Sequence, residues 1–152
     1  MAGAILKFNI RSNMLMIFGN FLRSVVPYIL LYKLEAFIIM PKKNHRESRL
    51  LLVKECRKLN QKEFIRWCKL TRGIKKVLKS QRLIDIKIPS LYIMGAEDSI
   101  FLPSVKKAVL SFTNAQLSVI ESSGHVVNVD QPVKFNERVI KFLNSLDLES
   151  SN

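Results

Sequence analysis

Cysteine is scarce: Cys56 and Cys68 are the two in 152 residues, and neither has a C-x-x-C neighbour or a cluster of metal-ligating side chains nearby. That excludes a disulfide framework and a cysteine-based zinc site, and it suits reduced thiols in a reducing compartment. No metal or cofactor is expected. Acidic residues are scarce as well, 12 against 25 Lys plus Arg, for a net charge of +13. Long uncharged apolar runs are missing; a membrane-spanning helix needs about 18 or more such residues. The greasiest stretch, residues 14–40, is interrupted by Arg23, Lys33 and Glu35 and carries Pro27 at its middle. No small-residue cleavage site closes an apolar stretch, so a secretory leader is not expected and a cytoplasmic location follows by default. RRM, KH and zinc-finger patterns, internal repeats and low-complexity segments are all lacking.

The residues that are present describe one globular domain. A chain of 152 residues buries about 68–70% of its unfolded surface, enough for a core. A hydrophobic fraction of 48% and a charged fraction of 24% are ordinary for such a protein. Disorder is expected only in the tail, residues 149–152. The charge is uneven. Residues 1–87 hold 20 Lys plus Arg against 5 Asp plus Glu, a balance of +15, whereas residues 88–152 balance at −2. Such asymmetry suits an anionic surface or, more plainly, a solvated helical face, because the basic residues of 42–82 recur among apolar ones at helical spacing. No specific nucleic-acid partner is expected.

Asn44 with Glu47 three residues on reads as a capping box, and Asn60 with Glu63 repeats it. Two short amphipathic helices are expected, 47–59 and 61–70. In the second, Phe64, Trp67 and Cys68 share a side, and Gly73 ends or bends the chain beyond Leu70. After Pro89 the pattern changes. Ser90-Leu91-Tyr92-Ile93-Met94, closed by Gly95, and Gln116-Leu117-Ser118-Val119-Ile120 read as strands of a parallel sheet. Pro103 opens a helix between them, with Val105, Ala108 and Val109 inward. Pro132 opens the last helix, whose apolar stripe is Phe135, Val139, Phe142, Leu143 and Leu146. Strand, helix, strand, helix makes this an α/β unit with two adjacent parallel strands.

Each strand runs into a loop with one ionisable residue of interest. The first is Gly95-Ala96-Glu97-Asp98 and the second is Ser122-Ser123-Gly124-His125. Functional groups of parallel α/β sheets gather at such strand ends. A carboxylate beside an imidazole fixes its tautomer and stabilises its charged form, as a general base for a hydroxyl nucleophile requires. Alone, Asp98 also suits a turn or an N-cap, and His125 a plain loop position. His45, at a basic helix start, is expected at the surface, and Glu97 is expected to face solvent.

The segments IKIPSLYIMGAEDSIFLP and AQLSVIESSGHVVNVDQPVKFNERVIKFL together resemble the last two strands of the α/β-hydrolase superfamily. The family's strand ending in G-x-x-D matches Asp98, and its later G-H matches Gly124 and His125. Its proline-led terminal helix matches Pro132, Phe135, Asn136, Phe142 and Leu143. The resemblance covers residues 86–143. It implies a partial α/β-hydrolase fold with three parts: a basic, helical, cap-like region at 1–87, the C-terminal part of the core at 88–148, and the tail at 149–152. It also implies Asp98 as triad acid and His125 as triad base of a serine hydrolase acting on an ester, thioester or similar bond. The departure is that no G-x-S-x-G nucleophile elbow and no His-Gly oxyanion loop precedes Asp98. Residues 1–5, Met-Ala-Gly-Ala-Ile, bear a faint likeness to the stretch just past the nucleophile in such an elbow. The expectation is therefore a C-terminal fragment that is inactive alone, its substrate a small molecule in the intact enzyme, with self-association through an exposed sheet edge. The alternatives are a non-catalytic binding module and a peripheral binder of anionic membranes using the basic helices.

Overall fold

The structure, a computed structural model, describes residues 25–80 and 88–150 together with Met14, Ile17, Phe21 and Leu22; for 71–80 and 148–150 it describes the backbone alone. Two strands, β1 (Ser90–Gly95) and β2 (Ala115–Ile120), pair in parallel with Ser90 opposite Ala115 and Gly95 opposite Ile120. The first half of the described chain holds helices α1 (Tyr28–Ile39), α2 (Arg46–Cys56) and α3 (Gln61–Ser80), with a 3-10 turn at Lys43–His45. The second half holds α4 (Leu102–Val109) between the strands, then a short α5 (Val127–Asp130) and the terminal α6 (Pro132–Ser150). The fold is α/β, as the order of patterns in the sequence predicts.

Alternation explains how the sheet is covered. Tyr92 lies opposite Leu117 and Met94 opposite Val119, so these four share one face. Met94 is buried with Leu102 and Val105 of α4, and Tyr92, Leu117 and Val119 pack against that cluster. Phe112, just past α4, stacks on Tyr92 with ring centroids 6.3 Å apart. Pro103 sits in the first turn of α4, where its missing N–H costs nothing. Helix α6 packs against both strands; of its expected stripe Phe135, Val139, Phe142 and Leu146 are partly buried, whereas Leu143 is exposed. The helix continues to Ser150, so the expected tail is ordered at Glu149 and Ser150; the other two tail residues lie outside the described part.

The helical half is tied down by one aromatic cluster and one mixed core. Tyr28, Tyr32 and Phe64 pack at centroid distances of 5.2 to 6.4 Å. The Tyr28 hydroxyl donates to the Leu59 carbonyl (2.7 Å), and its backbone N–H donates to Gln61 Oε1 (2.9 Å). The capping box at α3 forms reciprocally: the Glu63 N–H donates to Asn60 Oδ1 and the Asn60 N–H to Glu63 Oε2. Gly73 does not end this helix, which runs unbroken to Ser80. A single glycine costs only about 1 kcal/mol, and its neighbours Ile74, Lys75 and Lys76 sustain the turn. The mixed core joins the two halves: Ala36, Ile39 and Met40 are buried with Ile100, and Leu52, Phe101 and Val126 pack around them. Helix α1 therefore lies against the two loops beyond the strands.

Candidate active site

Asp98 and His125 leave the ends of adjacent strands and meet. His125 Nδ1 lies 2.8 Å from Asp98 Oδ2. Asp98 is wholly buried, while the His125 side chain is 22% exposed, so the ring has a protected side and an open one. The other carboxylate oxygen, Oδ1, accepts the N–H groups of Phe101 (2.9 Å) and Ile100 (3.2 Å). Asp98 thus serves as a turn aspartate and a partner for histidine at once, one oxygen to each task. Spending Oδ1 on the backbone fixes the carboxylate plane and aims Oδ2. Phe101 lies beside the imidazole, ring centroids 4.7 Å apart.

Two expectations fail here. His45 is not at the surface but completely buried, and Glu97 does not face solvent but is 17% exposed and multiply paired. Glu97 Oε2 lies 2.7 Å from His45 Nε2 and accepts from Asn44 Nδ2 (2.9 Å), while Oε1 pairs with Lys42 Nζ (2.8 Å). Asn44 is consequently not a helix cap: its amide reaches Glu97 and the Ser122 carbonyl instead. The hydrogen bond from Asn44 and that from Lys42 hold the Glu97 carboxyl down at about 2, against the opposing effect of burial. Further residues escape a reading by motif. Asp130 accepts the Gly124 N–H at 2.6 Å through Oδ2 and a short hydrogen bond from the Ser48 hydroxyl through Oδ1. Glu35 on α1 is partly buried, which pushes its carboxyl above the usual range, and the His125 imidazole acts in the opposite sense. Ser48 is found by its burial and Asp130 by its hydrogen bonds to Ser48 and Gly124, none of which the sequence prints; the signal for Glu35 is an acid inside a helix that is apolar apart from it, Lys33 and two tyrosines.

Burial pushes the Cys56 thiol up to about 11 and the Tyr32 hydroxyl to about 12. Among the described residues no group of three or more His, Cys, Asp or Glu is placed to hold a metal. No helix among them is long and apolar enough to cross a membrane. The likeness of residues 1–5 to a post-elbow segment lies outside the described residues.

Two known proteins are similar over part of their length. One is an uncharacterized carboxylesterase, nap, of Bacillus subtilis (strain 168), 29% identical over 75 residues, or 48% of this chain and 25% of that protein. The other is the putative carbamate hydrolase RutD of Rhizobium rhizogenes, 33% identical over 64 residues, or 41% of this chain and 24% of its own length. The matched part is about a quarter of each of these relatives. No family profile and no solved structure matches the chain. Strand ends that bring an aspartate to a histidine, a parallel α/β unit, and partial relatives named as hydrolases together relate this chain to the α/β-hydrolase superfamily.

Proposed function

We propose that this chain is the acid- and base-bearing part of a serine hydrolase of that superfamily, acting on an ester, thioester or carbamate-like bond. The observation that carries the reading is the 2.8 Å approach of His125 Nδ1 to Asp98 Oδ2. With Nδ1–H donated to the carboxylate, Nε2 is left to take the proton of a hydroxyl nucleophile and return it to the leaving group. Asp98 keeps that tautomer and stabilises the imidazolium form in between. The nucleophile and the oxyanion donors belong to motifs that this sequence does not contain.

The test has two arms. The 152-residue chain alone is expected to hydrolyse p-nitrophenyl acetate at background rate. Complemented by an N-terminal part of such a hydrolase that carries the nucleophile elbow and oxyanion loop, the chain is expected to be active, to lose activity in H125Q, and to drop by roughly 10⁴-fold in D98N. Turnover that survives H125Q overturns the proposal.

A second reading, a peripheral binder of anionic membranes, is favoured by one observation. On α3, Lys62, Arg66 and Lys69 are exposed next to Trp67 (56% exposed) and Leu70 (54%), the pairing of charge and aromatic that an interfacial helix uses. Co-sedimentation with phosphatidylserine vesicles, lost in W67S and at high salt, is its expected mark; equal pelleting with neutral vesicles overturns it.

A further inference from the structure

We propose that His45 is a positioning residue for the Asp98–His125 pair, and that segment 42–48 is a brace holding acid and base at bonding distance. The inference rests on the acid–base reading above. Its first ground is place. Glu97, the partner of His45, directly precedes Asp98, and Gly124 directly precedes His125. One histidine–carboxylate couple therefore stands one residue behind the other, and it reaches both loops.

The second ground is fit. A Cβ built on Gly124 would come within 2.8 to 3.0 Å of three ring atoms of His45, so the imidazole lies flat against a backbone that only glycine offers. His45 is completely buried, which is uncommon for histidine. Its Nε2 is spent on Glu97, while Nδ1 has no partner among the described residues, so one hydrogen bond and the glycine surface orient the ring. The same segment grips the histidine loop further. Asn44 donates to the Ser122 carbonyl, Ser48 donates to Asp130, and Asp130 in turn accepts the Gly124 N–H. The Glu97 N–H donates to the Ser123 carbonyl at 2.9 Å, which locks one loop to the other.

The third ground is that the held backbone needs holding. Ser122 has φ of 58°, a left-handed conformation that a residue with a Cβ rarely adopts. Left to itself the loop relaxes, and the base moves. Displacements of the order of 1 Å at a catalytic group cost about 10²-fold in rate, so a brace one residue away acts on chemistry without touching substrate.

The experiment tracks the His125 Nδ1–H proton by NMR in the full chain, which has two histidines, so that H45Q leaves His125 as the single one. In the wild type this proton is expected as a slowly exchanging downfield signal that D98N abolishes. H45A and G124A are expected to accelerate its solvent exchange about five- to tenfold, the response to losing one hydrogen bond's worth of order. H45Q, which restores a donor toward Glu97, is expected to bring the rate back to that of the wild type. In H45A/G124A the added methyl occupies the vacated space, and exchange is expected to be slower than in either single variant. Unchanged exchange in folded H45A and G124A overturns the proposal; should H45A not fold, G124A decides by the same criterion. Absence of the D98N-sensitive signal from the wild type overturns the acid–base reading itself, which is a different result from an intact signal indifferent to His45.

Discussion

The Asn44 amide, the Lys42 ammonium and the His45 ring converge on the Glu97 carboxylate, whose pKa falls from an ordinary 4.5 to about 2. A carboxyl lowered by folding stabilises the fold while ionised in both states, above its unfolded value, and that stabilisation disappears as pH falls through the folded value. The melting temperature of the wild type is therefore expected to exceed that of E97Q near neutral pH, with the gap closing between pH 4.5 and about 2. Differential scanning at a series of pH values measures it. Glu35 has the opposite sign. Its pKa is raised, chiefly by burial, so the charged form costs stability above the unfolded value and costs nothing once protonated. E35Q is expected to melt higher than wild type near neutral pH and to lose that advantage in acid. A lower melting temperature for E35Q at neutral pH would show that the interaction with His125 outweighs burial.

At the level of elements, the strands and their crossover helix are legible in the sequence because local punctuation marks them. Pro89 and Gly95 bracket β1, Pro103 opens α4 within its first turn, and Pro132 opens α6. The two Asn-led boxes look alike in sequence and differ in the fold. Asn60 caps α3, while Asn44 is drawn off by Glu97, 53 residues away. Asp98 and His125 are readable because a family pattern links them; His45 is not, because its burial depends on Glu97 and Gly124, far along the chain. The helical half obeys the same rule. Phe64 carries a helical pattern, but its burial under Tyr28 and Tyr32 is a tertiary fact. N60A is expected to cost about 1 kcal/mol of stability through lost capping, and F64A about 3–5 kcal/mol through the cavity it leaves. Urea denaturation of each decides, and equal costs would contradict this division between cap and core.

The whole molecule is basic, with large apolar side chains in view. Phe21, Val25 and Phe37 are exposed, and each strand has one partner among the described residues. Sheet edges and apolar patches of that kind recruit other chains. Size-exclusion of the isolated chain is expected to show concentration-dependent association that added salt strengthens by screening the +13 charge; a monomer peak independent of concentration and salt would contradict it. The brace has a kinetic consequence too. Asp98 and His125 are 27 residues apart, but Asn44 and Ser122 are 78 apart and Ser48 and Asp130 are 82 apart. Closing the longer loops costs about 1 kcal/mol more chain entropy, so the strand–helix–strand unit is expected to nucleate and segment 42–48 to dock afterwards. In stopped-flow refolding, V105A should slow folding, whereas S48A should leave folding unchanged and speed unfolding. Asp98 and His125 are thus expected to meet early on the folding pathway, and the residues of segment 42–48 that steady them to arrive last and be the first to let go.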